Sequence, residues 1–360
     1  MKTTFEIAVF QGDGIGPEIM APTLDILSGL AAMGGYGFVF ADAPAGAAHY
    51  QATGDSFPET SMQTARAADA ILLSAMGLPE VRYPDGTEIS PQIDLRKALT
   101  LFAGVRPVTI RPGQPTPLAL KGGQPVDFVL IRESTEGLFY TQGCGEVEAD
   151  EARETLRITR AISEPLFRFA FDLAAARKAS GRGPGKVTCV DKANVFRAFA
   201  FFREMFDAEA ARHPGIEANH AYVDATALWM VEKPWAFDVM VTENMFGDIL
   251  SDLGAGLMGG LGLAPSADIG HDHAVFQPCH GSAPDIAGQG VANPMAMILS
   301  AAMMLDWLGE RHGVPAMQVD GARLRDAVDH VVAEGAVLTR DLGGQAGTAE
   351  VARAVKEALA

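Results

Sequence analysis

The sequence predicts an α/β fold with a mostly parallel central sheet. Buried strand-like runs alternate along the chain with segments of helical length, which is the pattern of strand–helix–strand units. The series begins with residues 5–10 (FEIAVF), after which Pro17 is well placed in the first turn of a helix that runs to about residue 33. The other predicted strands are residues 69–75, 126–132, 186–190 and 237–242, and the other predicted helices are residues 60–67, 163–179, 193–211, 246–258, 294–309, 321–334 and 348–359.

Length and composition narrow the class of protein. A chain of 360 residues exceeds the size at which a single core keeps growing, so two domains are expected. The net charge of −17 argues against nucleic acid and anionic membranes as partners. Cys144, Cys189 and Cys279 lie far apart without metal-like spacing, which suits the reducing cytoplasm. The N-terminus shows no signal-peptide pattern, and the longest weakly polar run, residues 253–265, is too short and too rich in glycine to span a bilayer.

Two carboxylates lie four residues apart in the segment Asn244–Asp252 (NMFGDILSD). Asp248 and Asp252 would share one face of the predicted helix, where like charges repel each other unless a cation binds both. Mg²⁺ and Mn²⁺ prefer carboxylate oxygens, so the pair is a candidate metal site. A solvated acidic face is the alternative, but the apolar neighbours Ile249 and Leu250 predict little solvent-facing surface there.

Three arginines stand at the ends of strand-like or extended segments: Arg96, Arg106 before Pro107, and Arg132 after the run VLI. Arginine binds carboxylates through two parallel hydrogen bonds. Each arginine alone fits a surface ion pair, but three of them in an acidic chain predict a pocket for a di- or tricarboxylic acid.

Lys192 and Asp224 each follow a strand-like segment. Partial burial at a strand end would suit Lys192 to general-base work, although an ordinary solvated lysine fits the same pattern. Asp224, in the sequence YVDA, is a third isolated carboxylate.

Two glycine-rich segments are candidate ligand loops. Gly12–Glu18 (GDGIGPE) fails the dinucleotide-binding fingerprint, since Pro17 occupies the position of its third glycine, yet its backbone N–H groups suit a ligand. A purely structural turn fits the same residues. The loop His280–Pro294 is too long and polar for a core element, and a carboxylate in it would accept hydrogen bonds from a ribose and repel a 2′-phosphate.

Eight segments together resemble the β-decarboxylating dehydrogenase family, which includes the isopropylmalate, isocitrate, homoisocitrate, tartrate and D-malate dehydrogenases. They cover nearly the whole chain in the family's order, and their wording is nearest to that of 3-isopropylmalate dehydrogenase. The segments are GDGIGPE, LRKALTLFAGVRP, IRESTEG, VDKANVF, YVDA, NMFGDILSD, HGSAPDIAGQGVANP and DLGGQAGT.

The resemblance implies an isopropylmalate-dehydrogenase-like two-domain fold that is not a Rossmann fold. Residues 1–106 and 260–360 would form the first, cofactor-side domain, and residues 107–259 would form the second. The second domain would carry the contacts of a homodimer with shared active sites. Residues 141–160, which are polar and acidic before an alternating run, would form an exposed hairpin or arm of that domain.

The resemblance also implies roles for individual residues. Lys192, the base that takes the hydroxyl proton during hydride transfer and loss of CO₂, and Asp224 would come from the partner subunit. Asp285 and Ile286 resemble the NAD-selective form of the family. The residues that match the substrate carboxylate ligands are Arg96, Arg106 and Arg132, those that match ligands of Mg²⁺ or Mn²⁺ are Asp224, Asp248 and Asp252, and those that match the NAD site are Ile15, His280, Gly281, Ser282, Ala283, Asp285, Ile286 and Asn293.

Two places depart from the family pattern. The family's catalytic tyrosine would fall on Phe139, with Tyr140 next, and a phenyl ring cannot donate a proton to an enolate. We expect water or another group in preference to Tyr140, because neighbours in an extended segment point to opposite faces. Isopropylmalate enzymes place leucines where Gln92 and Ile93 stand, and isocitrate enzymes place a serine and an asparagine at Ser90 and Gln92, so a polar substituent on the substrate is compatible with this segment.

We interpret the chain as a cytoplasmic, NAD- and divalent-metal-dependent oxidative decarboxylase of a substituted D-malate, with a small di- or tricarboxylic 2-hydroxy acid as its substrate. Specificity for tartrate, D-malate, isocitrate or homoisocitrate fits the same motifs. A non-catalytic regulatory or binding subunit with this fold is the alternative from another class. The missing tyrosine would permit that alternative, whereas the retained carboxylates, lysine and arginines argue against it.

Overall fold

The computed structural model describes residues 2–111, 113–120 and 123–359. The strands are β1 (Thr4–Phe10), β2 (Gly37–Asp42), β3 (Ala70–Leu73), β4 (Ala103–Thr109), β5 (Asp127–Glu133), β6 (Glu146–Val147), β7 (Ala152–Arg153), β8 (Lys186–Asp191), β9 (Glu217–Tyr222), β10 (Val239–Thr242), β11 (Pro265–Ile269) and β12 (Ala274–Pro278). The α-helices are α1 (Gly16–Gly34), α2 (Ala47–Thr53), α3 (Glu59–Ala67), α4 (Pro91–Ala98), α5 (Arg160–Ala179), α6 (Arg197–Ala210), α7 (Val223–Glu232), α8 (Asn244–Leu257), α9 (Met295–His312), α10 (Pro315–Glu334) and α11 (Thr348–Ala358). Within those described ranges, no helix combines the length and apolarity needed to cross a bilayer.

One large sheet of ten strands runs in the order β2-β1-β3-β12-β11-β4-β5-β10-β8-β9. The first four strands in this order pair in parallel, and so do the last four. Between them, β11 and β4 run antiparallel to both of their neighbours, so the two parallel groups point in opposite directions. The predicted α/β fold with a mostly parallel sheet is therefore confirmed.

The predicted domain boundaries coincide with this junction in the sheet. Residue 106 lies within β4, and residue 259 lies shortly before β11. Helices cover both groups of strands: α9 packs on β11 and β12, and α5 packs on β5 and β10. The division into residues 1–106 with 260–360 and residues 107–259 stays a prediction.

Tertiary contacts shift the ends of the predicted helices. The helix predicted to begin at residue 163 begins at Arg160, because Glu136 accepts hydrogen bonds from the backbone N–H and the hydroxyl of Thr159 and holds that residue extended. In residues 141–160, β6 and β7 pair antiparallel as an exposed hairpin. Its role in dimer contacts stays a prediction.

The GDGIGPE turn has a structural function. Gly12 and Gly14 adopt φ values of 77° and 56°, which favour glycine. The carboxylate of Asp13 accepts hydrogen bonds from the N–H groups of Ala47, Ala48 and Gly77, at 2.7–2.8 Å. The turn therefore connects the start of α2 to the loop after β3. Ile15, two residues after Asp13, faces the loop at residues 280–293.

Candidate active site

The predicted substrate and metal residues, except Ser90 and Asp224, line a single cavity of about 300 Å³, which we call the arginine cavity. It lies beyond the carboxyl ends of β3 and β12 and is bounded by β4, β5 and α8. The predicted residues that line it are Gln92, Arg96, Arg106, Arg132, Asp248 and Asp252, with His280 and Gly281 at one side. Other lining residues include Ser74, Ile93, Phe139, Ser251, Gln277 and Cys279.

Two of the arginines share a buried carboxylate that the sequence analysis missed. Asp268 accepts hydrogen bonds from Arg96 Nε at 3.0 Å and from Arg106 Nη2 at 3.2 Å. Burial alone would raise the pKa of Asp268, but the positive charges of Arg96, Arg106 and Arg132 outweigh it and lower that pKa to about 2. Asp268 is therefore ionised and holds both guanidinium groups in place.

The third arginine is held by α8. Arg132 Nε donates to Asn244 Oδ1 at 2.8 Å, and Arg132 Nη1 donates to Asp248. Burial and the nearby charge of Arg96 lower the pKa of Arg132 to about 10, so it stays protonated at neutral pH. The aromatic ring of Phe139 lies beside the guanidinium group, with its centroid 5.2 Å from Arg132 Cζ.

Asp248 and Asp252 lie on one face of α8, as their spacing predicts. Burial and the charge of Asp248 raise the pKa of Asp252, which is the repulsion that a bound cation would relieve. The donor set suits Mg²⁺ or Mn²⁺, but among the residues described no cluster of three or more potential metal ligands exists within one chain. The prediction that apolar neighbours cover this face is wrong for the single chain, since Ile249 is 61% exposed.

Lys192 and Asp224 lie outside the arginine cavity. Lys192 Nζ and Asp224 Oδ1 form an ion pair at 2.5 Å on the surface, and the hydrogen bond from Lys192 lowers the pKa of Asp224. The Asp224 side chain is 68% exposed, so nothing in this chain buries it. One chain therefore does not bring these two residues together with Asp248 and Asp252.

A second cavity of about 340 Å³, which we call the loop cavity, lies under the glycine-rich loop at residues 280–293. The predicted NAD residues that line it are Ile15, His280, Gly281, Ala283, Ile286 and Asn293. Two others do not: Ser282 is buried behind the wall, where its hydroxyl donates to Gly77 O at 2.5 Å, and the Asp285 side chain is exposed. Leu261, Arg340 and Asp341 also line the cavity and were not predicted.

The loop is held in position from α1 and α11. Glu18 accepts hydrogen bonds from the N–H groups of Gly288 and Ala292, both at 3.2 Å, and from the hydroxyl of Thr348 at 2.6 Å. Ile15 N–H donates to Ser282 O at 2.8 Å. The GDGIGPE turn thus contributes to this cavity through Ile15 and Glu18, in addition to its structural function.

The two cavities are adjacent because His280 and Gly281 line both of them. Burial lowers the pKa of His280, and its Nε2 atom is buried without a hydrogen-bond partner in the described part of the chain. A ligand in either cavity would contact this shared wall.

The residues that depart from the family pattern differ in whether they line the arginine cavity. Phe139 lines the arginine cavity, whereas Tyr140 lies outside it, with its ring against Arg157 Cζ at 3.5 Å. The two residues occupy a short 3₁₀ helix, Leu138–Thr141, and not the extended segment that we expected, but successive side chains still point in different directions. Gln92 lines the cavity, while Ser90 precedes α4 and does not.

Comparison with known proteins agrees with this geometry. The profile of the isocitrate/isopropylmalate dehydrogenase family matches residues 6–355. The chain is 42% identical to the 3-isopropylmalate/3-methylmalate dehydrogenase of Methanocaldococcus jannaschii, over 97% of each protein. It is 41% identical to the homoisocitrate dehydrogenase of the same organism, over 96% of this chain and 95% of that one.

A solved structure leads to the same conclusion. The isocitrate dehydrogenase of Methylococcus capsulatus superposes with a TM-score of 0.84 at 36% identity, over 99% of both chains. The resemblance inferred from the eight motifs is therefore confirmed by full-length similarity in sequence and in fold. The chain belongs to the isocitrate/isopropylmalate dehydrogenase family and is a β-decarboxylating dehydrogenase.

Proposed function

We propose that the protein catalyses the NAD-dependent and Mg²⁺- or Mn²⁺-dependent oxidative decarboxylation of a 3-substituted D-malate, as 3-isopropylmalate dehydrogenases do. One observation carries the proposal: a cavity with three arginines and two metal-type carboxylates shares a wall with the loop cavity. A 2-hydroxy acid bound by the arginines would have its C2 atom next to a nicotinamide that enters from the loop cavity. The family's named substrates, 3-isopropylmalate, 3-methylmalate and homoisocitrate, all fit this class.

We further propose a homodimer in which each active site is shared. Large apolar side chains close in sequence to the candidate site residues are exposed in the single chain. Val195 and Phe196 follow Lys192, Leu228 and Val231 lie on α7 with Asp224, and Ile249 follows Asp248 on α8. A monomer rarely leaves such a set open to water, so we assign a second copy of the chain as its cover. That copy would bring its Asp224 and Lys192 to Asp248 and Asp252 of the first chain and supply the third metal ligand.

The residues then have distinct chemical functions. When bound, the divalent cation supplies Lewis-acid polarisation of the substrate's hydroxyl and C1 carboxylate, and NAD supplies the hydride acceptor. Arg96 and Arg132 hold substrate carboxylates through their free guanidinium N–H groups. Lys192 accepts the hydroxyl proton as hydride leaves C2. The resulting β-keto acid loses CO₂, and the enolate then takes a proton from water or a group other than Phe139.

A turnover assay tests this proposal against a non-catalytic subunit. The purified protein is supplied with NAD, Mn²⁺ and, in separate reactions, 3-isopropylmalate, D-malate, tartrate, isocitrate and homoisocitrate. We expect NADH formation with at least one acid and its loss after treatment with a chelator. No NADH with any acid, from protein shown to be folded and dimeric, would favour the non-catalytic alternative.

The three free cysteines are compatible with the cytoplasmic location that we propose.

Cofactor preference is a specific expected result. We expect kcat/KM to favour NAD over NADP by roughly 10- to 1000-fold, because a carboxylate near the ribose accepts hydrogen bonds from its hydroxyl groups and repels a 2′-phosphate. Ile286, which follows Asp285, lines the loop cavity. Asp285→Lys should narrow or invert the preference, and Asp285→Asn, which removes the charge without adding one, should fall between. A wild-type preference for NADP would contradict the assignment.

The enolate proton is tested at the 3₁₀ helix. Because Tyr140 lies outside the arginine cavity, Tyr140→Phe should change CO₂ release by less than about 10-fold, below the usual range for a general acid. Phe139→Tyr puts a phenol into the cavity and should leave NADH formation intact while it alters CO₂ release. The comparison is made by measuring NADH and CO₂ in the same reaction. A loss of CO₂ release above about 100-fold in Tyr140→Phe alone would show that Tyr140 is the acid.

A further inference from the structure

Asp268 lies on β11 at a point where the neighbouring strand β4 has a glycine. The antiparallel register places Asp268 of β11 opposite Gly104 of β4, and Gly104 lies opposite Arg132 of β5. A Cβ atom on Gly104 would lie 3.0 Å from Asp268 Oδ1 and 2.5 Å from Ser134 Oγ, so a side chain at this position would force Ser134 to move and crowd the carboxylate. The Asp268 side chain is fully buried behind the arginine cavity.

The Asp268 carboxylate is completely satisfied by protein donors. Arg96 Nε and Arg106 Nη2 donate to it, as described above, and Gln277 Nε2 donates at 2.6 Å. Ser134 Oγ adds a fourth hydrogen bond at 3.2 Å. A buried charge with this many donors is stable in place and does not need a ligand.

Asp268 changes what the arginines can offer to a substrate. It cancels one of the three positive charges of Arg96, Arg106 and Arg132 at close range. Arg106 has fewer free N–H groups for a substrate, because its Nη1 also donates to the carbonyl oxygens of Val105 and Ala267. Asp248, which pairs with Arg132, and Asp252 add two negative charges to the same cavity, and the proposed divalent cation would balance them. With the cation bound, the three arginines and Asp268 therefore present a net charge of plus two to bound carboxylates.

The rest of the described cavity wall adds no further cation. Its lining beside α4 consists of Gln92 and Ile93, and the Oε1 atom of Gln92 is buried without a partner. An amide and an alkyl group suit an uncharged substituent, polar or apolar, better than a carboxylate. The net charge of the arginines and the uncharged residues of the wall both favour a substrate with two carboxylates and an uncharged substituent.

We propose that Asp268 is a specificity-determining residue that restricts the substrate to two carboxylates, with an uncharged group at C3. This inference rests on the proposed function and selects among the substrates that it leaves open. A tricarboxylic acid would bring a third negative charge, for which the arginines paired with Asp268 have no unbalanced positive charge left. Its binding free energy would therefore be less favourable than that of a dicarboxylic acid. Asp268 acts through Arg96 and Arg106 and does not touch the substrate.

The test is Asp268→Asn, which keeps the size of the side chain and one acceptor oxygen, replaces the other oxygen with an amide NH₂ group and removes the charge. We expect the ratio of kcat/KM for isocitrate to that for 3-isopropylmalate to rise by about 10-fold or more. The dissociation constants of the non-reacting acids tricarballylate and succinate, measured by calorimetry, should shift in the same direction. This binding measurement separates charge recognition from catalysis.

Two further variants control the experiment. Ser134→Ala removes one hydrogen bond to Asp268 but keeps the charge, so its selectivity should match that of the wild type. Asp268→Ser, which also removes the charge but has a smaller side chain, gives a second test if Asp268→Asn does not fold, and its selectivity should shift in the same direction. An equal shift in Ser134→Ala would mean that position, and not charge, sets selectivity, and the inference would be wrong.

The outcomes separate this inference from the proposed function. If the wild type oxidises 3-isopropylmalate and folded Asp268→Asn keeps the wild-type ratios in turnover and in binding, the inference is overturned and the proposed function stands. A wild type that prefers isocitrate over 3-isopropylmalate also overturns it. If no acid is oxidised, the proposed function fails, and the calorimetric ratios of the wild type and Asp268→Asn still decide the inference.

Discussion

Asp248→Asn should abolish turnover while the protein stays folded. The substitution keeps a hydrogen-bond acceptor for Arg132 and removes a hard anionic ligand from the pair on α8. Loss of Lewis-acid polarisation should lower kcat/KM by more than about 100-fold at saturating Mn²⁺. The measurements are NADH formation, Mn²⁺ affinity by calorimetry and the thermal midpoint, of which only the last should be near its wild-type value.

The chain offers a closely matched control for this substitution. Asp329 on α10 pairs with the buried Arg111 as Asp248 pairs with the buried Arg132, and the two aspartate side chains are 44% and 49% exposed. Asp329→Asn should therefore reproduce the loss of an Arg–Asp pair without any loss of activity. If Asp248→Asn keeps wild-type turnover and Mn²⁺ affinity, or if both variants lose activity equally, the metal site is wrongly placed.

Lys192→Ala should also abolish turnover, for a different reason. Without an acceptor for the hydroxyl proton, hydride transfer should slow by at least about 100-fold, the low end of a general-base contribution. Substrate affinity should change much less, because the arginines that hold the carboxylates are untouched. The expected signature is a fall in kcat with a nearly constant KM.

Lys186→Ala is the matched control, at the other end of the same strand β8. Lys186 pairs with the exposed Glu217 at 3.8 Å, and its side chain is 21% exposed, against 24% for Lys192. We expect wild-type kcat for Lys186→Ala. If Lys192→Ala keeps more than about a tenth of wild-type kcat, Lys192 is not the base.

The arginine cavity was predictable only in part. Arg132 lies near the end of β5, as expected, but the expected strand end is wrong for Arg96, which lies on α4, and for Arg106, which lies in the middle of β4. Asp248 and Asp252 were predictable from helical spacing alone. Phe139 was found only through a family resemblance, since no local pattern marks an aromatic residue as a replacement.

Asp268 was missed for a physical reason. Its neighbours Pro265–Ile269 form a short strand whose only charge is Asp268, and its arginine partners lie more than 160 residues away in sequence. β4 and β11 are antiparallel inserts in an otherwise parallel pattern, so strand–helix alternation does not predict them. A lone carboxylate in an apolar run was the available signal, because such a residue is seldom buried without a cationic partner.

The exposed Ile249 shows the second limit of sequence reasoning. Apolar neighbours predicted that the face of α8 would be covered, yet the single chain leaves Ile249 open to solvent. An apolar pattern predicts burial, but it does not say whether the same chain or a second chain would cover the face. Lys192 and Asp224 have the same ambiguity, since one chain pairs them with each other and away from the arginine cavity.

Hybrid dimers of Lys192→Ala and Asp248→Asn chains give the most direct test of a shared, metal-dependent active site. Each parent is inactive, but a heterodimer would contain one intact site built from the Asp248 of one chain and the Lys192 of the other. After equal mixing and verified subunit exchange by native mass spectrometry, random pairing should restore about a quarter of wild-type activity. Activity that stays at the level of the two parents after complete exchange would show that each chain builds its own site, and the shared-site account would be wrong.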